Sequence, residues 1–504
     1  MQPRRPTTLV SHRLAGCFSF RDAVGVLARA VESRSKHAQS CDELQRIEVE
    51  IDPTDILRWL AAQGVGERSY FRNREGSLIV AGVGRAFESS MRTAHQAVES
   101  IMRDGATAAS DLPCGSPTEP ACEPFFFHAD FFDATQFPAD ATRWSGFDSA
   151  VVTLPIIEMR RTDESVLAVH FVGDGSAALD ALERCHDPLE HLRLPSGLRV
   201  SSDGDPVEWA DGIDAALGAI AAGSLEKVVL ARTRGYSAIE SIDPCAVLGA
   251  LMQEEPAAFH FLIESSGGEA FVGASPERLF RRSGHEVQSE ALAGTCGRGP
   301  DGAADDRLAG RLLSSDKNRR EHEIVIRHVE SVLAPFVMKL TCDESPRVMR
   351  LRHVQHLRTS ATGVLTASID DRPLLDAMHP TPAVCGWPVE AARNFIRQHE
   401  RVCRGMYAGI VGVASSSQSD YSVAIRSALI VANEMTAYSG AGIVRGSDAD
   451  AEWLETERKL SAFDALVVRA ANEGLAPASR ETVRARTDDV HTATTRLPRL
   501  VMGS

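Results

Sequence analysis

Apolar positions recur along this chain with two different spacings, and the spacing switches repeatedly. Runs rich in Val, Ile, Leu and Phe at 78–81, 151–159, 166–172, 227–233, 259–264, 270–273, 409–413, 421–431 and 436–439 read as strands. Longer stretches at 209–222, 306–336, 388–404 and 450–471 carry apolar residues three and four apart, the period of an amphipathic helix. Within 306–336 the stripe runs through Val325, Val329, Val332 and Phe336. A further helix start is signalled at Asp52-Pro53-Thr54-Asp55, with an acidic cap, proline in the first turn and a second acid behind it. The strands come in clusters, with long helices between clusters rather than after every strand. That arrangement predicts a mixed α+β fold with substantially antiparallel sheet, not a regular βαβ array.

The ends lack this pattern. Residues 1–45 are basic and read as an N-terminal extension, and 476–504 as a disordered tail, leaving 46–475 as one domain. Residues 105–123, rich in Ala, Ser, Pro and Gly, are expected to form a loop, and Ser415–Ser419 a hairpin turn. Residues 1–21 hold four arginines and no acid, the composition of an organelle transit peptide, although a frayed basic terminus is the preferred reading.

Charge narrows the possible functions. The chain has 504 residues and a formal net charge of −15, with 43% hydrophobic and 24% charged residues. So acidic a chain is a poor binder of nucleic acid or anionic membranes, because phosphate contacts need a basic surface. No apolar run is long enough to span a bilayer. The ten cysteines contain no CxxC, which removes zinc ribbons and redox dithiols and suits a reducing cytosol. Only Lys36, Lys227, Lys317, Lys339 and Lys459 are lysines, against 54 basic residues in all. Lysine can be made to release its proton where arginine cannot, so these positions are the first places to look for a base; Lys36 and Lys339 read as ordinary surface residues.

Two tempting motifs fail on spacing. In the run from Gly440 through Gly442 to Gly446 the third glycine falls one residue late for a dinucleotide loop. His322-Glu323 is not followed by a histidine at 326, which is Ile, so no HExxH exists. Two other patterns are more informative. One turn before Val325, Glu321 continues an apolar stripe, and Glu452, Glu455 and Lys459 share a face with Ala462 and Leu466. Taken singly, each is better read as a solvated helix end or an ion pair. Two acidic helix faces together suit an oxygen-ligated cation such as Mg²⁺. Lys227 opens an apolar strand and Glu277 sits where a strand runs into a turn; either also fits an edge-strand charge.

The stretches GSLEKVVLAR (223–232), FVGASPERLF (271–280), ALAGTCGRG (291–299), DKNRREHE (316–323), VQHLRTSATG (354–363), HPTPAVCGWP (379–388), RGMYAGIVG (404–412), VAIRSALI (423–430), YSGAGIVRGSD (438–448) and EWLETERKL (452–460) follow one another in a distinctive order. This series resembles the chorismate-utilising enzymes, and within them the isochorismate synthases. The resemblance covers 223–460; the sequence upstream is compatible with the family but less marked. It implies an α+β fold of two layered, largely antiparallel sheets flanked by helices, with the active site in the central cleft.

It also implies a reaction: Mg²⁺-dependent, reversible addition of water at C2 of chorismate with loss of the C4 hydroxyl. By motif, Lys227 matches the base that activates water and Glu277 the acid at the departing hydroxyl. Glu321 and Glu455 match metal ligands, with Glu452 contributing beside them or through a water. Gly294, Thr295, His356, Ala383, Tyr407, Arg426, Gly440, Gly442 and Lys459 match the substrate pocket, Arg426 as the fork for the enolpyruvyl carboxylate. Ala383 stands where ammonia-using and salicylate-forming relatives carry threonine, which favours water as nucleophile. Tyr407 and Tyr438 match menaquinone-type and plant-type members. Asn318 replaces an acid one turn before Glu321, which is expected to weaken metal binding. A salicylate synthase, a chorismate aminase and a non-catalytic paralogue are the competing readings. The chain is expected to act in the cytoplasm (in an organelle if 1–21 is a transit peptide), as a monomer, without a glutamine amidotransferase partner.

Overall fold

The computed structural model describes residues 8–35, 43–64, 66–90, 123–133, 135, 141–148, 150–366 and 371–473. Nearly all of the expected loop at 105–123 and the whole tail at 476–504 lie outside these residues, as does Lys36.

Two sheets dominate the fold, of thirteen and ten strands among the described residues. Every pairing is antiparallel except that between Thr8–Phe18 and Glu43–Ile51 at one edge of the larger sheet. Each sheet joins the two halves of the chain through one strand pair. Arg68–Arg72 lies beside Phe259–Glu264 in the larger sheet, and Phe126–Asp130 beside Ile410–Ala414 in the smaller. Strand Phe259–Glu264 shows why the sequence lacks clean alternation here. Phe259, Phe261 and Ile263 face a core shared with Phe127, Leu279, Val411 and Tyr421 of the other sheet. Leu262, pointing the opposite way, joins Leu248 and Leu251 of helix Pro244–Glu254 and Trp59 and Leu60 of helix Ile56–Ala62. Both faces are covered, so Leu262 is apolar as well, while His260 and Glu264 on its face are buried against the Glu255 carbonyl and Arg68.

Several elements end where local chemistry interrupts them. The helix signal over 306–336 is two helices, Gly302–Ser314 and Asp316–Leu333, followed by a short 3₁₀ turn. Ser315 caps the second: its hydroxyl accepts from the backbone N–H of Asn318, which satisfies an otherwise free donor of the first turn. The run 151–159 is likewise two strands, Ala150–Leu154 and Ile157–Arg161, separated at Pro155, which has no N–H for a ladder. The run 421–431 splits into Gln418–Val423 and Ser427–Val431 at Arg426, whose φ of 52° lies in the left-handed region. Helix Val389–His399 stops short of 404. The turn at Ser415 does close a hairpin, with the Ser415 N–H donating to the Gln418 carbonyl.

The N-terminal expectation needs correcting. Residues 8–35 are not an extension: Thr8–Phe18 and Glu43–Ile51 extend the larger sheet, and helix Phe20–Ser35 packs on it through Ala23, Leu27 and Val31. The spacing of those three residues, four apart, was present in the sequence but masked by the surrounding arginines. Leu27 is fully buried. Leu27→Ala is therefore expected to destabilise the protein by about 3 kcal/mol in denaturant unfolding. A loss under about 0.5 kcal/mol, the size of a surface substitution, would show that this helix does not belong to the core.

Candidate functional site

Strand Lys227–Ser237 alternates like its neighbours. Leu230 faces helix Pro206–Ala221, while Val229 lines a cleft on the other face. Lys227, at the strand's start, has no accessible surface, and its ammonium lies 3.0 Å from Glu321 Oε1. Glu321 arrives from helix Asp316–Leu333. Room for the pair comes from Gly442, which stands opposite Val229 in strand Glu434–Val444: a Cβ there would lie 2.5 Å from Glu321 Oε1 and 2.9 Å from Lys227 Cε. Gly440 and Gly442 are thus ladder residues of a strand, not a dinucleotide loop.

The cleft opens to solvent, and its empty space, counted out to that opening, is about 640 Å³. Among the residues expected from sequence, Glu277, Gly294, Thr295, Glu321, His356, Ala383, Tyr407, Arg426, Gly440, Gly442, Glu455 and Lys459 all line it. They come from both sheets, from two helices and from the loops that carry Glu277, Ala383, Tyr407 and Arg426. Lys459 bridges two of its walls, with Nζ 2.8 Å from the Gly440 carbonyl and 2.8 Å from Glu455. Tyr407 stacks on Tyr438 with ring centroids 5.2 Å apart. Gly294 takes a left-handed φ of 77° where the strand passes close to Asn318.

Glu452, expected beside the metal ligands or acting through a water, lies off the cleft lining. It is buried, and its carboxylate is bound by Lys317. Burial, then the charge of Glu455, pushes its carboxyl up, against the pull of Lys317. Asn318, too, is committed elsewhere, its amide donating to Ser315 Oγ at 3.0 Å. Sequence reasoning missed Thr381, whose hydroxyl is 3.4 Å from Glu277 Oε1, and left Lys317 without a role. The scarcity of lysine was the available signal: Lys227, Lys317 and Lys459 each meet one carboxylate at this site, while Lys339 is exposed.

The electrostatics separate the acids. Burial, helped by the charge of Glu290, pushes the Glu277 carboxyl up to about 8, against weaker opposition from Lys227, Thr381 and Lys459. It is a protonated acid at neutral pH. Burial alone would also raise Glu321, yet Lys227, with Lys317 and Lys459 behind it, holds that carboxyl below its usual range. Burial, then Arg426 and Lys459, keeps His356 neutral. Two buried donors or acceptors in the cleft wall lack partners in the protein, Arg426 Nη2 and His356 Nε2. A guanidinium edge and an imidazole nitrogen left open in this way suit the oxygens of a carboxylate ligand.

Among the described residues no group of three His, Cys, Asp or Glu side chains converges as a ready-made metal cage. Mg²⁺ seldom uses one; it takes one or two carboxylates and completes its octahedron with water and ligand oxygens. Glu321 and Glu455, on separate helices but in one cleft, fit that requirement. Glu452, which does not line the cleft, could take part only from behind these two.

Gly442→Ala is expected to push the Glu321 carboxylate off Lys227 and lower turnover by about 100-fold, since small misplacements in a cleft have effects of that size. Unchanged kcat/KM in a folded variant would show that the close approach at Gly442 is unimportant.

The chain is similar to several known proteins. The isochorismate synthase MenF of Escherichia coli is 35% identical over 342 residues, 65% of this chain and 79% of that protein. MenF of Haemophilus influenzae is 30% identical over 459 residues, 88% of this chain and 98% of that one. The salicylate biosynthesis isochorismate synthase of Pseudomonas aeruginosa is 37% identical over 64% of this chain and 70% of its own length. The solved structure of the Escherichia coli MenF superposes with a TM-score of 0.75 at 29% identity, covering 88% of this chain and 99% of that one. Residues 28–467 match the profile of a family described as chorismate binding enzymes, and the chain belongs to that family.

Proposed function

We propose that this protein is an isochorismate synthase, converting chorismate reversibly to isochorismate. The observation that carries the reading is a buried lysine set behind the cleft wall at Gly442, together with a glutamic acid lining the cleft that keeps its proton at neutral pH. Water addition at C2 with departure of the C4 hydroxyl needs a proton removed from the incoming water and a proton given to the leaving oxygen. Lys227 is the base for the first; Glu277 supplies the second, so that the hydroxyl leaves as water. One water enters and one leaves, and the ring double bonds shift between the two positions. Product and substrate are isomers, and the two proton transfers return to their starting state through solvent.

Arg426 and His356 have the unpartnered atoms to hold one substrate carboxylate, and Lys459 and the Gly440 backbone lie alongside. Glu321 and Glu455 are the residues that would hold Mg²⁺, which neutralises the ring carboxylate when bound. The stacked Tyr407 and Tyr438, with Val229 and Leu292, give the cleft its apolar walls. Ala383 leaves no hydroxyl at its position in the wall, and water, not ammonia, is the nucleophile; no ammonia-supplying subunit is required. Salicylate formation stands as the second reading, since a relative's name places it in salicylate biosynthesis.

Two measurements test the proposal. Purified protein with chorismate and Mg²⁺ is expected to give an equilibrium mixture of chorismate and isochorismate by HPLC, abolished by EDTA and by Glu321→Gln or Glu455→Gln. Salicylate with pyruvate as the product would replace the proposal by the second reading. Because the acid must carry its proton, activity is expected to hold below about pH 8 and to fall as pH rises through it. A profile that keeps climbing beyond that point would remove Glu277 as the acid.

A further inference from the structure

Glu277 is held from behind by a second buried carboxylate. Glu290, in strand Glu286–Gly297, is 4% exposed and accepts four hydrogen bonds. Arg74 grips it with both terminal nitrogens, at 2.6 and 2.9 Å, and Arg358 Nε lies at 2.6 Å. The fourth donor is the backbone N–H of Arg278, the residue after Glu277, at 3.1 Å. Arg74 also reaches the carbonyl of Pro276, the residue before it, at 2.9 Å. From the far side, Ser422 Oγ and the Val423 N–H donate to the Glu277 carbonyl at 2.9 and 3.2 Å. The Glu277 N–H donates to Ser275 Oγ. The peptide that carries Glu277 therefore has its polar backbone atoms occupied, and on one flank Glu290 with its arginines occupies them.

A bidentate arginine is itself pinned here. Arg74 and Arg278 both lie over the ring of Phe259, and Arg278 closes on Asp420 and Glu75. The two carboxylates end in opposite states from unlike surroundings. Glu290 has four donors, and its carboxyl stays below the usual range despite burial. Glu277 has only the Thr381 hydroxyl and stays protonated, with the Glu290 charge the largest contribution after burial itself. Environments that push two neighbouring acids apart in this way mark a division of labour.

We propose that Glu290, clamped by Arg74 and Arg358, is a positioning residue that anchors the Glu277 peptide from the side away from the substrate and sets a fixed negative charge behind the acid. Glu290 touches no substrate; it acts through Glu277, keeping the proton there until the leaving oxygen takes it. The inference rests on Glu277 being the acid of the proposed reaction. The other charged or titratable groups facing Glu277 are Lys227 from its strand, Lys459 from helix Ala449–Glu473 and the neutral Tyr407 phenol from the loop before Ile410–Ala414. Arg74, Arg358 and Arg278 stand around Glu290 itself.

The test is the pH profile of kcat/KM for chorismate at saturating Mg²⁺, with Glu290→Gln, Arg358→Gln and Glu277→Gln. Glu290→Gln removes the charge and keeps the shape; the alkaline limb is expected to move down by about one pH unit, the size of a nearby-charge effect. Arg358→Gln strips one positive charge from Glu290 and is expected to move the limb up. Its side chain is 36% exposed, so this variant tolerates removal if Glu290→Gln does not fold. A merely structural cluster would lower the melting temperature of both variants and leave both limbs at the wild-type pH, and that result overturns the proposal. Glu277→Gln separates the two claims: wild-type turnover there defeats the acid assignment itself, whereas an inactive Glu277→Gln beside unmoved limbs defeats only the role of Glu290.

Discussion

A lysine without accessible surface can exist only where something answers its charge, and at Lys227 that is Glu321 at 3.0 Å. The requirement propagates. Glu321 must stand on the inner face of its helix, so that helix must pack against the sheet at one rotation; Gly442 must lack a side chain, so that two charged groups fit above the strand. The same rule repeats twice nearby, with Lys459 on Glu455 and Lys317 on Glu452. Three lysines and three carboxylates thus fix where two helices and one strand meet.

The helix that carries Glu452, Glu455 and Lys459 is itself fastened by charge. Arg232 and Arg234, five and seven residues along the strand from Lys227, bind Asp203 and Glu457, and Arg234 also holds Asp464. Arg232 reaches Thr456 Oγ1 at 2.7 Å and lies 3.8 Å above the Trp453 ring. These contacts use the guanidinium fork, which suits several partners at once, while the carboxylates of the site are met by the compact ammonium of lysine and, among the described residues, Arg426 alone turns its fork to the cleft. The distribution of Arg and Lys that looked odd in composition follows from this division.

Much of the fold was legible because hydrophobic period is local. Strand 259–264 and the long C-terminal helix could be placed from spacing alone, and structure moved their ends little. The errors share one cause. At Ser315, Pro155 and Arg426 a single residue interrupts an otherwise continuous apolar signal, and period counting averages over it. At 8–35 the reverse occurred: arginines on the exposed faces hid a buried stripe of Ala23, Leu27 and Val31. The candidate site residues line one cleft apart from Lys227, which lies behind its wall at Gly442, and Glu452, whose position on the helix face did not reveal that Lys317 would claim it.

By itself the sequence determined the type and order of most elements, the family resemblance and which rare side chains had to be accounted for, because these depend on residues close together or on motifs kept in order. It did not contain the states of the acids. Glu277 and Glu290 are the same residue type thirteen positions apart, and nothing local distinguishes them. Only the tertiary structure buries one beside a lone hydroxyl and surrounds the other with Arg74, Arg358 and a backbone amide. Desolvation and charge act through space, and the groups that decide them come from strands more than two hundred residues apart, so the protonation that the chemistry needs is a property of the fold.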